Sequence, residues 1–208
     1  MNIGILGTGN VGTALGSRWA QVGHAITFGS RDPQSEKVQT LLQECPGAQA
    51  AGHQAAVDRA EIVVLATPWR VTAELLGALS GWDGKILIDA TNPIAPGLTL
   101  AVGLDSSAAE QVAVWAPGAQ VVKAFNTTGY NVMRDPLFDG ISASMFFCGD
   151  DPQAKAACRG LIEALGFDPI DCGALAMARY LEPMALMWIN LTRTPGLSRE
   201  IAFKLLRR

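Results

Sequence analysis

Residues 3–12 read IGILGTGNVG, a short apolar run followed by closely spaced glycines. The mainly apolar segment Ile3–Leu6 predicts a buried strand, and Val11–Val22 has the period of an amphipathic helix. Between them, Gly7, Gly9 and Gly12 have the spacing of the GxGxxG fingerprint. Placed between a strand and a helix, such glycines permit a tight turn, a close approach of pyrophosphate and close helix–strand packing. The stretch therefore predicts a dinucleotide-binding turn, with the pyrophosphate at the positive end of the helix.

Outward from this stretch, short apolar runs alternate with longer segments of helical period. The predicted strands are Ile3–Leu6, Ala25–Phe28, Ile62–Ala66, Ile86–Asp89, Val121–Ala124 and Ser144–Cys148. The predicted helices are Val11–Val22, Ser35–Glu44, Val71–Leu79 and Pro152–Leu165. This alternation is typical of βαβ units and predicts an α/β fold, a Rossmann-type doubly wound parallel sheet. The Pro- and Gly-rich stretch Thr91–Leu104 predicts a long surface loop, and loops of that length are usually functional.

The pattern changes near residue 170. Leu175–Thr192 is apolar without strand alternation and predicts a helix, and a second helix, Leu197–Leu206, is expected after the break at Thr194-Pro195-Gly196. The roughly 38 residues concerned are too few to build an independent core. We therefore expect a Rossmann domain over residues 1–170 and a small C-terminal helical dimerisation segment over 171–208. Its Met and Trp side chains are expected to bury against the main domain or a second subunit, although they could also line a ligand pocket.

Composition excludes several classes of protein. In 208 residues, 49% are hydrophobic and 17% charged, which argues against disorder, and a net charge of −3 argues against a nucleic-acid binder. There is no apolar run of about 18 residues, so no membrane span is expected, and the first residues lack the features of a signal peptide. Four Cys without a CxxC pair and only two His predict neither a disulfide framework nor a metal site. Reduced thiols in the cytoplasm are the expectation.

The end of the second predicted strand indicates which dinucleotide is bound. NAD-binding proteins place an acid there to bond the ribose 2′-hydroxyl, but this chain reads Phe28-Gly29-Ser30-Arg31. The Ser30 hydroxyl and the Arg31 guanidinium stand where a 2′-phosphate would lie, and Arg binds phosphate in a bidentate manner. The pattern predicts NADP(H), with Asp32 as a partner that Arg31 could take in the empty site. The alternative is a surface turn with an incidental Arg.

Other strand ends carry candidates for the nicotinamide half, because ligands of such sheets lie at the carboxyl ends of the strands. After the predicted strand Ile62–Ala66, Thr67 and Pro68 are expected to border the nicotinamide ribose and Trp69 to form a wall. A plain turn remains the alternative for Trp69. Two further strand ends carry amides, Asn92 and Asn126, that could bond a carboxamide or a planar second substrate. Asn is also common in loops for reasons of turn geometry.

No acid–base machinery is evident from the sequence, and no catalytic residue is predicted. His24 and His53 lie in contexts that predict structural roles, and Lys123 at an apolar strand end could be either catalytic or an anchor. Hydride transfer between two bound cofactors needs little proton transfer, because the protein has only to hold the two carbons close, aligned and dry.

Six segments, taken together and in order, resemble one known family. They are Gly7-Thr8-Gly9-Asn10, Gly29-Ser30-Arg31, Thr67-Pro68-Trp69, Ser107-Ala108-Ala109-Glu110, Val122-Lys123-Ala124-Phe125-Asn126 and Cys148-Gly149-Asp150-Asp151. The chain is similar over nearly its whole length to the NADP oxidoreductases that depend on the deazaflavin coenzyme F420. The resemblance implies a Rossmann domain, a homodimer formed through the C-terminal helices, and hydride exchange between NADPH and a deazaflavin. It also implies NADP contacts from Thr8, Gly9, Asn10, Val11, Ser30 and Arg31.

Two departures from the family pattern leave the hydride acceptor open. Archaeal members have a His where this chain has Asn126, and the Lys expected after Arg31 is replaced by Ser35, with Lys37 two positions further on. The segment around Lys123 is closer to the cytosolic reductase domain of six-transmembrane ferric reductases, which implies FMN or FAD in place of F420. The alternatives are an NADPH-dependent reductase of imines or hydroxyacids and a non-catalytic NADP-binding redox sensor.

Overall fold

A computed structural model describes every residue from Met1 to Arg208, and its centre is an eight-stranded sheet with two short hairpins beside it. The strands are β1 (Asn2–Leu6), β2 (Ala25–Gly29), β3 (Gln49–Ala51), β4 (Ile62–Leu65), β5 (Ile86–Asp89), β6 (Ile94–Ala95), β7 (Thr99–Leu100), β8 (Gln120–Lys123), β9 (Leu137–Phe138), β10 (Ile141–Ser142), β11 (Ser144–Gly149) and β12 (Asp168–Asp171). The helices are α1 (Asn10–Gln21), α2 (Glu36–Glu44), α3 (His53–Arg59), α4 (Trp69–Gly77), α5 (Ala108–Trp115), α6 (Tyr130–Arg134), α7 (Pro152–Ala164) and α8 (Ala178–Leu191).

The sheet is covered by helices on both faces. All four residues of β4 are buried, as expected for a central parallel strand. Ile62 and Val64 belong to one apolar cluster of 27 buried residues, while Val63 and Leu65 belong to another of 17. Because successive side chains of a strand point to opposite faces, these clusters are the two cores between the sheet and its helix layers. This is the predicted Rossmann-type α/β fold.

The strand order is β12-β11-β8-β5-β4-β1-β2-β3. From β1 the chain moves outward through β2 and β3 and then crosses to β4 on the other side of β1, so the topological switch point lies between β1 and β4. Ligands of doubly wound sheets bind at the carboxyl ends of the strands at such a point. The glycine-rich turn after β1 lies at that edge.

One pairing departs from the predicted all-parallel sheet. β11 runs antiparallel to β8, and β12 then pairs in parallel with β11. The connection from β8 to β11 contains only the short α6 and the β9–β10 hairpin. Antiparallel neighbours need no crossover helix of the length that a parallel pair requires.

The predicted second C-terminal helix, Leu197–Leu206, is wrong, because the chain beyond α8 contains turns but no helix. This tail lies along the domain instead: the Ser144 amide donates to the Phe203 carbonyl over 2.9 Å, and the Trp188 indole donates to the Ile201 carbonyl, also over 2.9 Å. These tertiary hydrogen bonds override a weak local preference for helix.

Several short elements were not expected from the sequence. The predicted loop Thr91–Leu104 contains the β6–β7 hairpin, and its first residue, Thr91, is buried. The strand β3 and the helices α3 and α5 lie in Ala-rich segments whose apolar period is weak. None of the helices combines the length and the apolarity needed to cross a membrane.

Candidate functional site

The glycine-rich turn keeps open space at one of its three glycines. Gly7 has a φ of +129°, and a Cβ there would collide with the carbonyl oxygen of Ala66 at the end of β4. A Cβ at Gly12 would collide with the Gly7 carbonyl oxygen, so both positions need glycine for the packing of the protein itself. A Cβ at Gly9 would meet no atom within 4 Å. The space over Gly9 therefore remains free for a ligand.

The first turn of α1 offers hydrogen-bond donors to that space. Gly9 is the N-cap residue, no side chain caps the helix, and the first turn contains no acidic residue. The N-terminus of α5 differs, because the Ser107 hydroxyl accepts from the Glu110 amide. The first amides of an uncapped helix lack intrahelical partners and carry the positive end of the helix dipole. The turn thus fits the pyrophosphate of a dinucleotide, and Gly7, Thr8, Gly9, Asn10, Val11 and Gly12 all lie at this place.

Ser30 and Arg31 follow directly on β2, at the same edge of the sheet. The Ser30 amide donates to the Ala51 carbonyl over 2.9 Å, and its hydroxyl accepts from the Asp32 amide over 3.2 Å. Arg31 is exposed and forms no ion pair, so it does not take up the pairing with Asp32 that the sequence allowed. The Asp32 carboxylate accepts from the Gln34 amide instead, over 3.1 Å. The Arg31 guanidinium is therefore available to an anion.

A cleft of about 520 Å³ opens beside the glycine-rich turn. One wall is formed by Thr8, Gly9 and Asn10, and Lys37 from the first turn of α2 lies on the other wall. Arg134 of α6 also lines the cleft and pairs with Glu44 over 4.0 Å, and the carboxylates of Glu36 and Glu44 belong to the lining as well. Lys37 stands two positions beyond Ser35, where the family pattern has a Lys, and it lies beside the glycine-rich turn.

His53 begins α3 on the side of Arg31. Burial is the larger cause that lowers the pKa of His53 below its ordinary value of 6.5, and the positive charge of Arg31 lowers it further. The imidazole therefore favours its neutral form. With His53 neutral, Arg31 is the positively charged member of this pair at the end of β2.

At the opposite side of the switch point, Thr67 and Pro68 lie between β4 and α4. The Thr67 hydroxyl lies 3.1 Å from the Thr72 hydroxyl, which in turn donates to the Pro68 carbonyl over 3.3 Å. Trp69 is the first residue of α4, and its ring lies 5.3 Å from the Trp115 ring at the end of α5. The indole is therefore held in place by a second aromatic ring.

Asn92 and Asn126 follow β5 and β8 and bond to each other. The Asn92 side-chain amide donates to the Asn126 carbonyl over 2.9 Å, and the Asn126 side-chain amide donates back to Asn92 Oδ1 over 3.2 Å. Asn126 also donates to the Leu181 carbonyl on α8 over 3.0 Å, which uses both of its N–H groups. Asn126 is 3% exposed, with an unpartnered Oδ1, whereas Asn92 is half-buried. Asn92 is the member of the pair that is open to a ligand.

Lys123 is an anchor, which decides between the two roles left open by the sequence. Its side chain is fully buried, and its Nζ lies 2.9 Å from Asp89 Oδ2, 3.0 Å from Glu182 Oε1 and 2.7 Å from the Thr91 carbonyl. Burial alone would lower the pKa of Lys123, but the carboxylates of Asp89 and Glu182 outweigh burial and raise it. All three N–H groups of the ammonium are occupied, so none remains to give a proton to a substrate.

The structure brings the predicted residues to one edge of the sheet in two groups. The glycine-rich turn, Ser30 and Arg31 lie towards β2, while Thr67, Pro68, Trp69, Asn92 and Asn126 lie towards β5 and β8. Sequence reasoning missed Glu182, whose carboxylate also accepts from the amides of Ala108 and Ala109 over 2.9 and 3.2 Å. A signal was present, since Glu182 is the only acid in α8 and lies among its apolar residues.

Comparison with known proteins agrees with this geometry. The family described as "NADP oxidoreductase coenzyme F420-dependent" matches residues 2–93. The F420-dependent NADP reductase of Methanothermobacter marburgensis is 31% identical over 207 residues, which covers 92% of each protein. A solved structure from Arthrobacter sp. FB24, named as a candidate F420-dependent NADP reductase, has a TM-score of 0.87 at 33% identity and covers 100% of both chains.

A second kind of relative is only partly matched. The metalloreductase STEAP3 of Rattus norvegicus is 30% identical over 195 residues, or 94% of this chain. The chain spans 38% of the length of that protein. The similarity therefore covers one portion of the metalloreductase.

Proposed function

The chain belongs to the family of coenzyme F420-dependent NADP oxidoreductases, and we propose that it transfers hydride between NADP(H) and a deazaflavin or flavin. It is an NADP-dependent oxidoreductase by that membership. The observation that carries the proposal is the uncapped N-terminus of α1 beneath the open space at Gly9, with Ser30 and Arg31 at the neighbouring strand end. When bound, NADPH supplies the hydride from C4 of its nicotinamide ring.

Each proposed contact has a physical role in holding the cofactor. Amides of the turn from Gly7 to Gly12 donate to the pyrophosphate, with Thr8, Asn10 and Val11 beside it. Ser30 and the unpaired Arg31 bind the 2′-phosphate, and Lys37 adds positive charge at the wall of the cleft.

The remaining proposed contacts belong to the nicotinamide half. Thr67 and Pro68 border the ribose, and the Trp69 ring, held against Trp115, forms a wall. The half-buried Asn92 binds the carboxamide, with Asn126 behind it. This arrangement orients the reacting carbon, and orientation is the main contribution that a protein makes to hydride transfer between two cofactors.

The proposed class of hydride acceptor rests on the names of the relatives and on Lys123, whose N–H groups are all engaged by protein oxygens. A reductase of imines or ketones commonly needs a proton donor near the reacting atom. Lys123, the cation buried at the ends of β5 and β8, has no free N–H. A deazaflavin or flavin ring needs no such donor beside it for the hydride step itself.

We further propose that residues 171–208 form a dimerisation segment on a domain of residues 1–170. One face of α8 and of the turn before it exposes Met177, Tyr180 and Met187, which are 36%, 66% and 51% accessible. Apolar residues at this spacing form a stripe along a helix, and a second copy of the chain would cover it. The four cysteines are free thiols, three of them buried, which agrees with the reducing cytoplasm that we propose as the location.

Rapid mixing with a panel of acceptors tests the proposal. NADPH and the protein are mixed with F420, FMN, FAD or a set of cyclic imines, and the loss of reduced nicotinamide absorbance is followed. We expect rapid oxidation with F420 or with a flavin. Oxidation by the imines alone, or tight NADPH binding without oxidation by any acceptor, would contradict the proposed activity.

A further inference from the structure

We propose that Glu182 on α8 is a positioning residue that holds Asn92 and Asn126 in place at the nicotinamide half of the site. This inference rests on the proposed function for the identity of the ligand. It assigns to the C-terminal helix a role in the geometry of the site, in addition to the proposed role in dimerisation.

Glu182 completes a buried ion cluster that joins four elements. Its Oε1 lies 3.0 Å from Lys123 Nζ at the end of β8, and Lys123 binds Asp89 at the end of β5. The same carboxylate accepts from the amides of Ala108 and Ala109 at the start of α5. Two carboxylates and one ammonium leave one negative charge, which lies at the positive end of α5. Without the Glu182 carboxylate, Lys123 would lose one of its two ion-pair partners and the first amides of α5 would lose their charged acceptor.

The cluster fixes both segments that carry the amides. Asp89 Oδ1 accepts from the Thr91 amide and hydroxyl over 2.9 and 2.7 Å, and Lys123 donates to the Thr91 carbonyl. Asn92 is the next residue along the chain. On the other strand, Lys123 is three residues from Asn126. Movement of the ammonium would therefore displace both amides.

A second contact of α8 sets which way the Asn126 amide faces. Leu181, the neighbour of Glu182, accepts from Asn126 through its carbonyl over 3.0 Å. If the Asn126 amide were turned over, its oxygen would face two acceptors, the Leu181 carbonyl and Asn92 Oδ1. The contact with α8 therefore fixes the observed orientation of the Asn126 amide. In this orientation Asn126 bonds to both polar groups of the Asn92 side chain, its Nδ2 and its Oδ1.

The backbone of the loop between Lys123 and Asn126 is strained, and the surrounding contacts hold it in that conformation. Phe125 lies between Lys123 and Asn126 and has a φ of +60°, a backbone conformation that residues other than glycine rarely adopt. A strained residue persists only where surrounding contacts over-determine it. The Lys123 cluster holds one side of Phe125, and the Asn126 hydrogen bonds hold the other. Loss of Glu182 would allow the loop to relax and carry Asn126 with it.

The test compares Glu182→Gln with Glu110→Gln. Glu110 also joins α5 to α8, through two hydrogen bonds from Arg179, but it touches neither Lys123 nor the amides. Dissociation constants are measured by calorimetry for NADPH and for adenosine 2′,5′-bisphosphate, which lacks the nicotinamide. The fluorescence emission of bound NADPH reports the surroundings of its ring.

We expect Glu182→Gln to weaken NADPH binding by about tenfold and to shift the emission of bound NADPH, because a displaced Asn92 would lose its hydrogen bond to the carboxamide. Binding of adenosine 2′,5′-bisphosphate should stay within about twofold, and Glu110→Gln should change neither ligand. A purely structural role would lower thermal stability without this division between the two ligands.

A second variant keeps the test decisive if Glu182→Gln does not fold. Asn126→Ala leaves the ion cluster intact and removes the link to Leu181, so the same division between ligands is expected. Equal weakening of both ligands, no weakening of either, or the same division in Glu110→Gln would overturn the inference. These are binding measurements, so a wild-type protein that binds NADPH but reduces no acceptor would contradict the proposed function alone.

Discussion

Single residues of like charge have opposite environments at the two halves of the site. Arg31 is exposed and unpaired at the proposed adenosine side, whereas Lys123 is fully buried with every donor occupied. Arg31 is therefore free to meet a ligand, and Lys123 stabilises the protein. In the sequence both are basic residues at or just beyond the end of an apolar strand, so the sequence could not separate these roles.

Replacement of Arg31 should weaken NADPH binding selectively. Hydrogen bonds to charged groups contribute about 1.5–3 kcal/mol, so Arg31→Ala should raise the dissociation constant of NADPH by at least about tenfold. NADH, which lacks the 2′-phosphate, should be nearly unaffected. Titration calorimetry with both cofactors measures the difference, with Arg193→Ala as a control at an exposed site. An equal, small effect on both cofactors would contradict the assignment of NADP to this strand end.

Replacement of Lys123 should destabilise the fold. Lys123→Met leaves the buried carboxylates of Asp89 and Glu182 without their cation, and breaking a buried ion pair costs about 3–5 kcal/mol. Urea unfolding should show this loss in the free energy of unfolding. The control is Lys155→Met, which removes a partly exposed pair with Asp171 and should cost about 1 kcal/mol or less. Equal losses in both variants would contradict the anchoring role.

At the scale of elements, the predictable features were those with strong local signals. The GxGxxG turn lies between β1 and α1 as predicted, because the requirement for glycine is local. Gly7 has a positive φ, and Gly12 packs so close to the Gly7 carbonyl that no Cβ would fit. The central strands were predictable because they are buried on both faces and read as continuous apolar runs. The C-terminal tail was not, since its course depends on distant partners such as Ser144. Glu182 was missed for the same reason, because its partners lie on two other elements, β8 and α5.

The junction of α5 and α8 should show a defined dependence on pH. The hydrogen bond from Arg179 is the main cause that holds the pKa of Glu110 below its ordinary value of 4.5. The folded state therefore binds this proton less readily than the unfolded state. The pair stabilises the protein above pH 4.5, and the contribution is lost as the pH falls through the lowered pKa.

The matched variant isolates that contribution. Glu110→Gln should lower the free energy of unfolding at neutral pH by about 1 kcal/mol or less, since the pair is partly exposed. The difference from wild type should shrink as the pH falls below 4.5. Urea unfolding across this range measures it, and a difference that does not change with pH would exclude Glu110 as the titrating group.

At the scale of the whole molecule, the proposed dimer depends on the exposed stripe of α8. Tyr180 is 66% exposed on this stripe, and a charge there would lie in the proposed interface. We expect the wild type to be a dimer and Tyr180→Asp to be a monomer with an unchanged circular dichroism spectrum. Light scattering after size-exclusion chromatography measures the mass. Leu137→Asp, at a residue that is 54% exposed on β9, is the control and should remain a dimer. A monomeric wild type would contradict the interface.

The proposed activity is the direct passage of hydride from NADPH to a deazaflavin or flavin across the carboxyl edge of the sheet. The direct measurement uses NADPH carrying deuterium at C4, prepared separately with the label on each face of the ring. The protein is mixed with either form and F420, and the reduced deazaflavin is analysed by mass spectrometry. Deuterium bound to carbon C5 of a deazaflavin does not exchange with water, so the label records the transfer.

We predict that one labelled form gives deuterated F420 and the other does not, because a fixed nicotinamide presents a single face to the acceptor. A flavin in place of F420 would be reduced by the same route, with its label lost from nitrogen to solvent. If NADPH is consumed but neither labelled form gives deuterium in the reduced F420, direct transfer is contradicted. Failure of both F420 and the flavins to oxidise bound NADPH would contradict the account of the whole site.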